Sequence, residues 1–258
     1  MNEEEPAQRI ARTTELLWGT GQPGKRGPKP RLSLDKIARA AIAIADADGL
    51  AAVSMQRVAA DLGYTPMSLY TYVPNKELLL EAMLDVVAGS RLPEPREFDD
   101  WRTEMHAYVA DMWKMFERHP WVLHVQVVGP PTGPGQLRWF ERLLSILDKT
   151  GLSLPEYPSV GLFLLAAVRG MAKLTLDMRD LHGSAADARA ADAASDSMIA
   201  KYVDPVNFPL LTSVYSQPPP ETEPGWYRPG VVPEDLRYGT DRLLDGIEAQ
   251  VARSRDTG

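Results

Sequence analysis

Apolar residues recur every three or four positions after Ser33, which is the spacing of one buried helix face. Ser33 can cap the start of this first helix, and Gly49 can end it. A second, shorter helix is predicted after Ser54 and ends at Gly63. The apolar positions are Leu34, Ile37, Ala38, Ala41, Ile42, Ile44 and Ala45 in the first helix, and Met55, Val58, Ala59 and Leu62 in the second.

Proline and asparagine mark two further helix starts. Thr65 before Pro66 is a strong start signal, because proline suits the first helical position and holds the preceding residue in an extended conformation. A Val-Pro pair ends this short third helix, and Asn75 can cap a fourth that runs to about residue 91. Two of the four predicted helices are thus joined by a tight glycine turn.

Long apolar periods predict helices over most of the chain beyond the linker LPEPRE. They cover about residues 98–116, 137–147, 160–181 and 234–251. No stretch alternates as a β-strand does, so the predicted fold class is all-α. The helix over 160–181 has two apolar stripes, which are Val160, Leu164, Ala167, Met171, Leu174, Met178 and Leu181 on one side and Leu165, Val168, Ala172 and Leu176 on another.

Three segments lack a long apolar period. Before Ser33 there is one amphipathic stretch, Ile10–Trp18, followed by GQPGKRGPKPR. The Ala/Asp-rich residues 184–196 could be a helix or a mobile loop, and residues 205–233 hold eight of the 22 prolines and are predicted to be irregular. The predicted division is a flexible extension with a basic arm (1–32), a four-helix domain (33–92) and a larger helical domain (93–258).

The third helix has an unusual polar face. At about 100° per residue, Leu69 and Val73 form its buried edge. Two short helices joined by a glycine turn have the dimensions of a helix-turn-helix, in which the second helix enters the major groove of DNA. The outward face is then uncharged and carries three hydroxyl groups, which can bond to phosphates and bases, and one thioether. It consists of Met67, Ser68, Tyr70 and Thr71.

Charge is distributed unevenly along the chain. The whole chain carries −7, yet residues 25–76 contain eight basic and four acidic residues. A basic segment on an acidic body indicates local contact with phosphates. In the first turn of its helix Lys76 opposes the helix dipole, which favours a bound anion; the alternative is a solvated lysine. The basic residues Lys25, Arg26, Lys29 and Arg31 are either a solvated linker or an arm that follows the DNA backbone or enters its minor groove.

Residues 33–91, centred on VSMQRVAADLGYTPMSLYTYVPNKELL, resemble the DNA-binding domain of the tetracycline-repressor (TetR) family of bacterial regulators. The resemblance implies that Tyr70 and Lys76 clamp the DNA backbone. It also implies that Gln56 contacts a base, and glutamine suits adenine where arginine would suit guanine. Tyr72 has two equally supported interpretations, which are packing in the core and contact with a phosphate. The implied reading positions are Thr65, Pro66, Met67, Ser68, Tyr70 and Thr71.

The C-terminal part resembles the ligand-binding and dimerisation domain of the same family. We expect a homodimer whose four-helix interface combines residues 160–181 with 234–252, where Gly239 and Gly246 would allow close approach. The alternative is that both helices lie in one monomer core. The fourth helix touches both domains, so it is the expected lever between a small-molecule effector and the DNA-reading helices.

Large side chains on the middle helices are the candidates for effector contact, although core packing is the favoured interpretation of each. The position of His124 also resembles that of a magnesium-ligand histidine in tetracycline repressors, but no carboxylate partner is identifiable. The effector's identity does not follow from the sequence. The candidates are Trp113, Phe116, Trp121, His124, Phe140 and Met171.

Other functional classes find little support. The chain has no cysteine, its four histidines have no metal-ligand spacing, and no phosphate-binding glycine loop or serine elbow is present. The longest apolar run, Val160 to Val168, is too short to cross a bilayer. We therefore predict a cytoplasmic regulator without cofactor, metal or membrane partner, which binds double-stranded operator DNA and a small-molecule effector. A protein-interaction module and, less favoured, an enzyme are the alternatives; repression and activation are not distinguished.

Overall fold

The computed structural model describes residues 6–19, 32–89, 97–126, 131–216 and 227–256. Within these ranges every regular element is helical, which confirms the all-α prediction. Three short 3-10 turns, Leu50–Ala52, Pro120–His124 and Leu154–Glu156, connect the helices. The helices are α1 (Pro6–Trp18), α2 (Leu34–Asp48), α3 (Met55–Leu62), α4 (Pro66–Tyr70), α5 (Lys76–Gly89), α6 (Trp101–Arg118), α7 (Pro134–Asp148), α8 (Tyr157–His182), α9 (Ala185–Ile199), α10 (Pro209–Tyr215) and α11 (Glu234–Asp256).

The predicted helix starts in the N-terminal part are confirmed, although α4 ends at Tyr70, before the predicted Val-Pro pair, and the predicted end near residue 91 lies outside the described residues. Ser33 and Ser54 each accept the backbone N–H three residues further on, at 3.2 Å in both cases. Gly63 ends α3 in the left-handed conformation, with φ of 73°. Asn75 accepts a backbone N–H at 2.8 Å in the first turn of α5. These caps satisfy helix-end N–H groups locally, so they can be read from the sequence.

Helices α2 to α5 form a head around a small core of their own. Ile37, Val58, Leu69, Val73 and Leu79 are fully buried there. Beyond the head, α6, α7, α8 and α11 form the body around a larger core. Helix α5 belongs to both parts, because it packs against α2 in the head and against α7 in the body. The fully buried residues of the body core include Trp113, Met105, Ile146, Leu147, Leu164 and Leu244.

Two segments differ from their predicted state, and a third takes one of its two predicted alternatives. Part of the predicted flexible extension forms helix α1. This helix is held in place because it packs against α5 and the Trp18 indole donates to the Thr132 carbonyl at 2.9 Å. The Ala/Asp-rich segment is a helix, α9, which begins at a Ser184 cap. The prolines of 205–233 do not prevent a short helix, because Pro209 occupies the first position of α10, where proline is tolerated.

The apolar faces of α8 are grouped differently from the two predicted stripes. Leu165, which shares a predicted stripe with buried positions, is exposed, and so are Leu174 and Leu181 of the other stripe. The period separates apolar from polar positions, but it carries no information on which apolar side α6 and α7 cover. The side that these helices cover consists of Gly161, Leu164, Val168, Ala172 and Leu176.

Residues 154–182, which include α8, are long and apolar enough to cross a membrane by length and composition alone. A single such helix is a weak indication, since the core helix of a soluble protein passes the same test. One side of α8 packs in the body core, while the other side leaves an apolar surface that α8 shares with α11.

Candidate DNA interface and the body that carries it

The α3–α4 pair presents the face that the sequence predicts. Leu69 and Val73 are 0% exposed, and they hold α4 against the head core. On the opposite side Met67 is 76% exposed and Tyr70 is 45% exposed, and Thr71 is exposed beside them. The outward face of α4 is therefore uncharged and accessible.

Hydroxyl groups at the start of α4 bond to one another. Thr65 precedes Pro66 with extended backbone angles, φ −84° and ψ 151°, as expected of a helix start. Its Oγ1 lies 3.0 Å from Oγ of Ser68. Thr71 Oγ1 donates weakly to the Met67 carbonyl at 3.5 Å. These side-chain bonds are local and solvent-exposed, so the hydroxyls can exchange them for phosphate or base contacts.

The remaining predicted DNA-contact residues surround α4. Gln56 is exposed in the first turn of α3, and Lys76 is exposed at the first position of α5. Tyr72 is half-buried and packs against the head core. Gln56 lies on α3, which packs against α4, whereas Lys76 borders the cleft between head and body. The predicted arm residues Lys25, Arg26, Lys29 and Arg31 lie outside the described residues.

Neighbouring cations in the head are neutralised within it. Arg39 forms an ion pair with Asp35 at 2.9 Å, and Arg57 forms one with Asp48. Over the described residues, Lys76 makes no ion pair. Lys76 is therefore available for an external anion.

A buried carboxylate that the sequence did not indicate joins the head to the body. Asp85 Oδ1, on α5, accepts the backbone N–H groups of Gly135 and Gln136 in the first turn of α7, at 2.8 and 3.0 Å. Burial raises the pKa of Asp85 above its ordinary value, and the two N–H bonds oppose this shift. A Cβ at Gly135 would lie 2.2 Å from the Asp85 carbonyl oxygen, so only glycine allows this approach.

The predicted effector-contact residues lie in different surroundings. Trp113, Phe116 and Trp121 are buried in the body core. Phe140 and Met171 are half-buried, and Phe140 lies beside Gly161 of α8. His124 is exposed and, with Trp121, borders a cleft between head and body. No group of three His, Asp or Glu side chains within the described ranges could hold a metal ion.

Two helices of the body leave an apolar surface uncovered. On α8, Leu162 and Phe163 are exposed. Phe163 borders a shallow groove with Gly239 and Gly246 of α11. Nothing lies within 4 Å of a Cβ built on either glycine, so another helix could approach α11 closely there.

Family comparisons agree with both halves of this architecture. Residues 32–83 match the family described as bacterial regulatory proteins, tetR family. Residues 92–251 match the tetracyclin repressor-like C-terminal domain. The chain belongs to the TetR family. It is therefore a DNA-binding transcriptional regulator, and its head and body correspond to the two matched regions.

One curated relative covers nearly the whole chain and another covers about half of it. The HTH-type transcriptional repressor DrrR1 of Streptomyces coeruleorubidus is 36% identical over 253 residues, which is 95% of this chain and 88% of that protein. An HTH-type transcriptional regulator of Saccharopolyspora erythraea is 32% identical over 134 residues, or 52% of this chain and 56% of the relative.

Solved structures of the TetR family share the fold. ActR of Streptomyces coelicolor in complex with actinorhodin has a TM-score of 0.66 and 25% identity, and the match covers 87% of this chain and 99% of ActR. Apo ActR gives a TM-score of 0.65 at 24% identity, covering 88% and 100% of the two chains. The head and body of this chain thus have the arrangement found in solved members of the family.

Proposed function

We propose that this TetR-family regulator is a cytoplasmic repressor that binds a palindromic operator as a homodimer and leaves it when a small molecule binds the body. The observation that carries the proposal is the uncharged, exposed face of α4 beside the unpaired Lys76. Such a face can read base edges, while the lysine neutralises a phosphate. Repression is favoured over activation because DrrR1, 36% identical, is named a transcriptional repressor.

Two-fold symmetry supports binding to a palindrome. A dimer places its two reading helices about 34 Å apart, one turn of DNA, so each half-site meets one copy of α4. The uncovered apolar surface on α8 and α11 offers a partner protomer a large contact. A single head, with one five-residue reading helix, would bind operator DNA weakly.

One buried group supports effector binding in the body. The indole Nε1 of Trp113 is buried and has no hydrogen-bond partner among the described residues. A buried donor normally finds an acceptor, and leaving it without one is costly. An effector with an acceptor atom would satisfy it. ActR, which shares the fold, has been solved with actinorhodin.

The decisive experiment is a gel shift with a palindromic fragment selected from a random DNA pool. We expect retardation that weakens steeply with salt, because phosphate contacts release counterions. Lys76→Ala should weaken binding to all sequences and reduce the salt slope by about one per subunit. Lys201→Ala is the matched control, since Lys201 is exposed in the body between α9 and α10. No retardation at about 50 mM salt would favour the interaction module instead.

Effector control needs a second readout on the same complex. Compounds that raise the melting temperature of the free protein should release the labelled fragment in proportion to their affinity, because binding to one state shifts the equilibrium away from the other. Stabilising compounds that all leave the DNA complex intact would contradict the induction part of the proposal and leave DNA binding standing.

A further inference from the structure

Head and body meet through a second polar contact, which involves α2 and not α5. Asp46, in the last turn of α2, accepts two hydrogen bonds on one oxygen, Oδ1. His119 Nδ1 donates at 2.8 Å and Trp121 Nε1 donates at 2.7 Å. His119 must be the donor because an ionised carboxylate can only accept. Both rings are more than nine-tenths buried, so two body donors converge on one oxygen of the head.

The turn that carries Trp121 is itself tied to α8. Arg169 of α8 donates to the carbonyl oxygens of Leu123 and Val125, at 3.1 and 2.6 Å. Those two carbonyls lie at the end of the Pro120–His124 turn. A continuous set of hydrogen bonds and short chain segments therefore leads from α8, through the turn, to Asp46.

The surroundings of Asp46 leave room for the head to move. Beside it an open cleft of about 760 Å³ separates head residues such as Leu50 and Leu80 from the body turn. At Asp85, by contrast, α5 and α7 are in close contact, and Gly135 leaves no room for a side chain between them. Head and body are thus held by a tightly packed hinge at α5–α7 and by one carboxylate at the edge of a cleft.

We infer that Asp46, His119 and Trp121 form a latch that sets the orientation of the DNA-reading head on the body. Helix α2 packs against both α3 and α5, so a displacement at its end moves α3 and α4 with it. When the latch is closed, α4 is held at one angle; when it opens, the head rotates about α5–α7 into the cleft. Asp46 is a positioning residue, since it acts on DNA only through α4.

This inference rests on the proposed dimer and palindrome, because head orientation matters only where two heads must match one operator. It goes beyond them in naming the contact that transmits the state of α8 to the reading helix. Breaking the latch should change the distance between the two heads of the dimer. A variant that only lost stability would not change this distance.

The test measures the distance between the two heads in the full-length dimer. The chain has no cysteine, so Asp61→Cys on the exposed end of α3 carries one spin label per protomer, and pulsed electron paramagnetic resonance reports the label separation without DNA. Asp46→Ala should at least double the width of the distance distribution. It should also reduce about tenfold the preference for the natural half-site spacing over one changed by about two base pairs.

Matched variants separate the latch from a general effect of losing a charge. Asp48→Ala removes a carboxylate two residues away whose partner, Arg57, is in the head itself, so it should leave the distance distribution unchanged. Asp46→Asn keeps an acceptor oxygen and should restore the wild-type width. Trp121→Phe removes one donor, keeps most of the ring volume and should broaden the distribution to an intermediate extent; it replaces Asp46→Ala if that variant does not fold.

The outcomes distinguish the latch from the proposed function. A wild-type protein that is monomeric, or that binds no palindrome, would contradict the proposed function. A wild-type dimer that binds its operator, with folded Asp46→Ala and Trp121→Phe variants of unchanged distance distribution and spacing preference, would overturn the latch. Equal broadening in Asp48→Ala would overturn it as well.

Discussion

Tyr70 and Tyr72 lie two residues apart, yet their surroundings differ. Tyr70 is exposed on the outward face of α4, whereas Tyr72 is half-buried against the head core. Leu69 marks the buried side of α4. At about 100° per residue, Tyr72 points within about 60° of Leu69, whereas Tyr70 points about 100° away from it. One hydroxyl is therefore free for DNA, and the other ring supports the helix that presents it.

Replacing Tyr70 by phenylalanine should weaken operator binding without unfolding the protein. A lost hydrogen bond of about 0.5–1.5 kcal/mol corresponds to a roughly 2- to 12-fold higher dissociation constant. Fluorescence anisotropy with labelled operator measures the affinity, and calorimetry measures the melting temperature. Tyr72→Ala is the comparison, since it should lower the melting temperature. A large fall in melting temperature for Tyr70→Phe would place Tyr70 in the core instead.

At the scale of elements, the contact between α5 and α7 decides how the head is mounted. Asp85 takes the role of a helix cap although it belongs to another helix, because it accepts N–H groups at the start of α7. Trp139 of α7 in turn donates its indole N–H to the Ala88 carbonyl at 2.7 Å, near the end of α5. Three hydrogen bonds and a close approach at Gly135 thus fix α5 along α7.

The raised pKa of Asp85 predicts how stability depends on pH. The folded state binds its proton more tightly than the unfolded state, whose pKa is close to 3.8. Stability contributed by Asp85 is therefore present at low pH and falls as the pH rises through the folded-state pKa. Asp85→Asn keeps the acceptor oxygen but does not titrate, so its unfolding free energy should fall less over this window.

Urea unfolding at several values between about pH 2 and 7 measures the difference between wild type and Asp85→Asn. Asp100→Asn is a control of opposite sign. Hydrogen bonds from Thr103 lower the pKa of Asp100, so its contribution is present above 3.8 and lost as the pH falls through the folded-state value. Parallel pH profiles for wild type and Asp85→Asn would mean that Asp85 does not titrate differently on folding.

For the whole molecule, the uncovered side of α8 is the feature that a single chain does not explain. Phe163 is 60% exposed, and it lies where α11 presents two glycines without neighbours. An exposed apolar surface of this kind marks an interaction site. A second copy is the occupant that our functional proposal requires, since two heads must face one palindrome.

A charge at this surface should separate the protomers. Phe163→Glu is expected to give monomers at micromolar concentration and to abolish stable operator binding, because burying an unpaired carboxylate costs several kcal/mol, roughly the free energy of a weak interface. Light scattering after size-exclusion chromatography gives the mass. Ile10→Glu, on the exposed side of α1, should remain dimeric. A dimeric Phe163→Glu protein would move the interface elsewhere.

Much of the head was predictable because its signals act within three or four residues. Ser33, Ser54 and Asn75 cap helices through N–H groups just beyond them, and the Thr65-Pro66 pair starts α4 without any distant partner. The outward face of α4 followed from its period once one buried edge was chosen. The proposed DNA contacts therefore depend on local chemistry and on the family motif.

The sequence by itself determined where most helices begin and end, which positions are apolar, and which side of α4 faces solvent. Only the tertiary structure decided which apolar side of α8 is covered, and that Asp46 and Asp85 join head to body. Their partners lie 73 and 50 residues further along the chain. Helical periodicity relates residues three or four positions apart, so it does not predict contacts between residues this far apart in the chain. These contacts exist because the packing of whole helices brings the donors and carboxylates together.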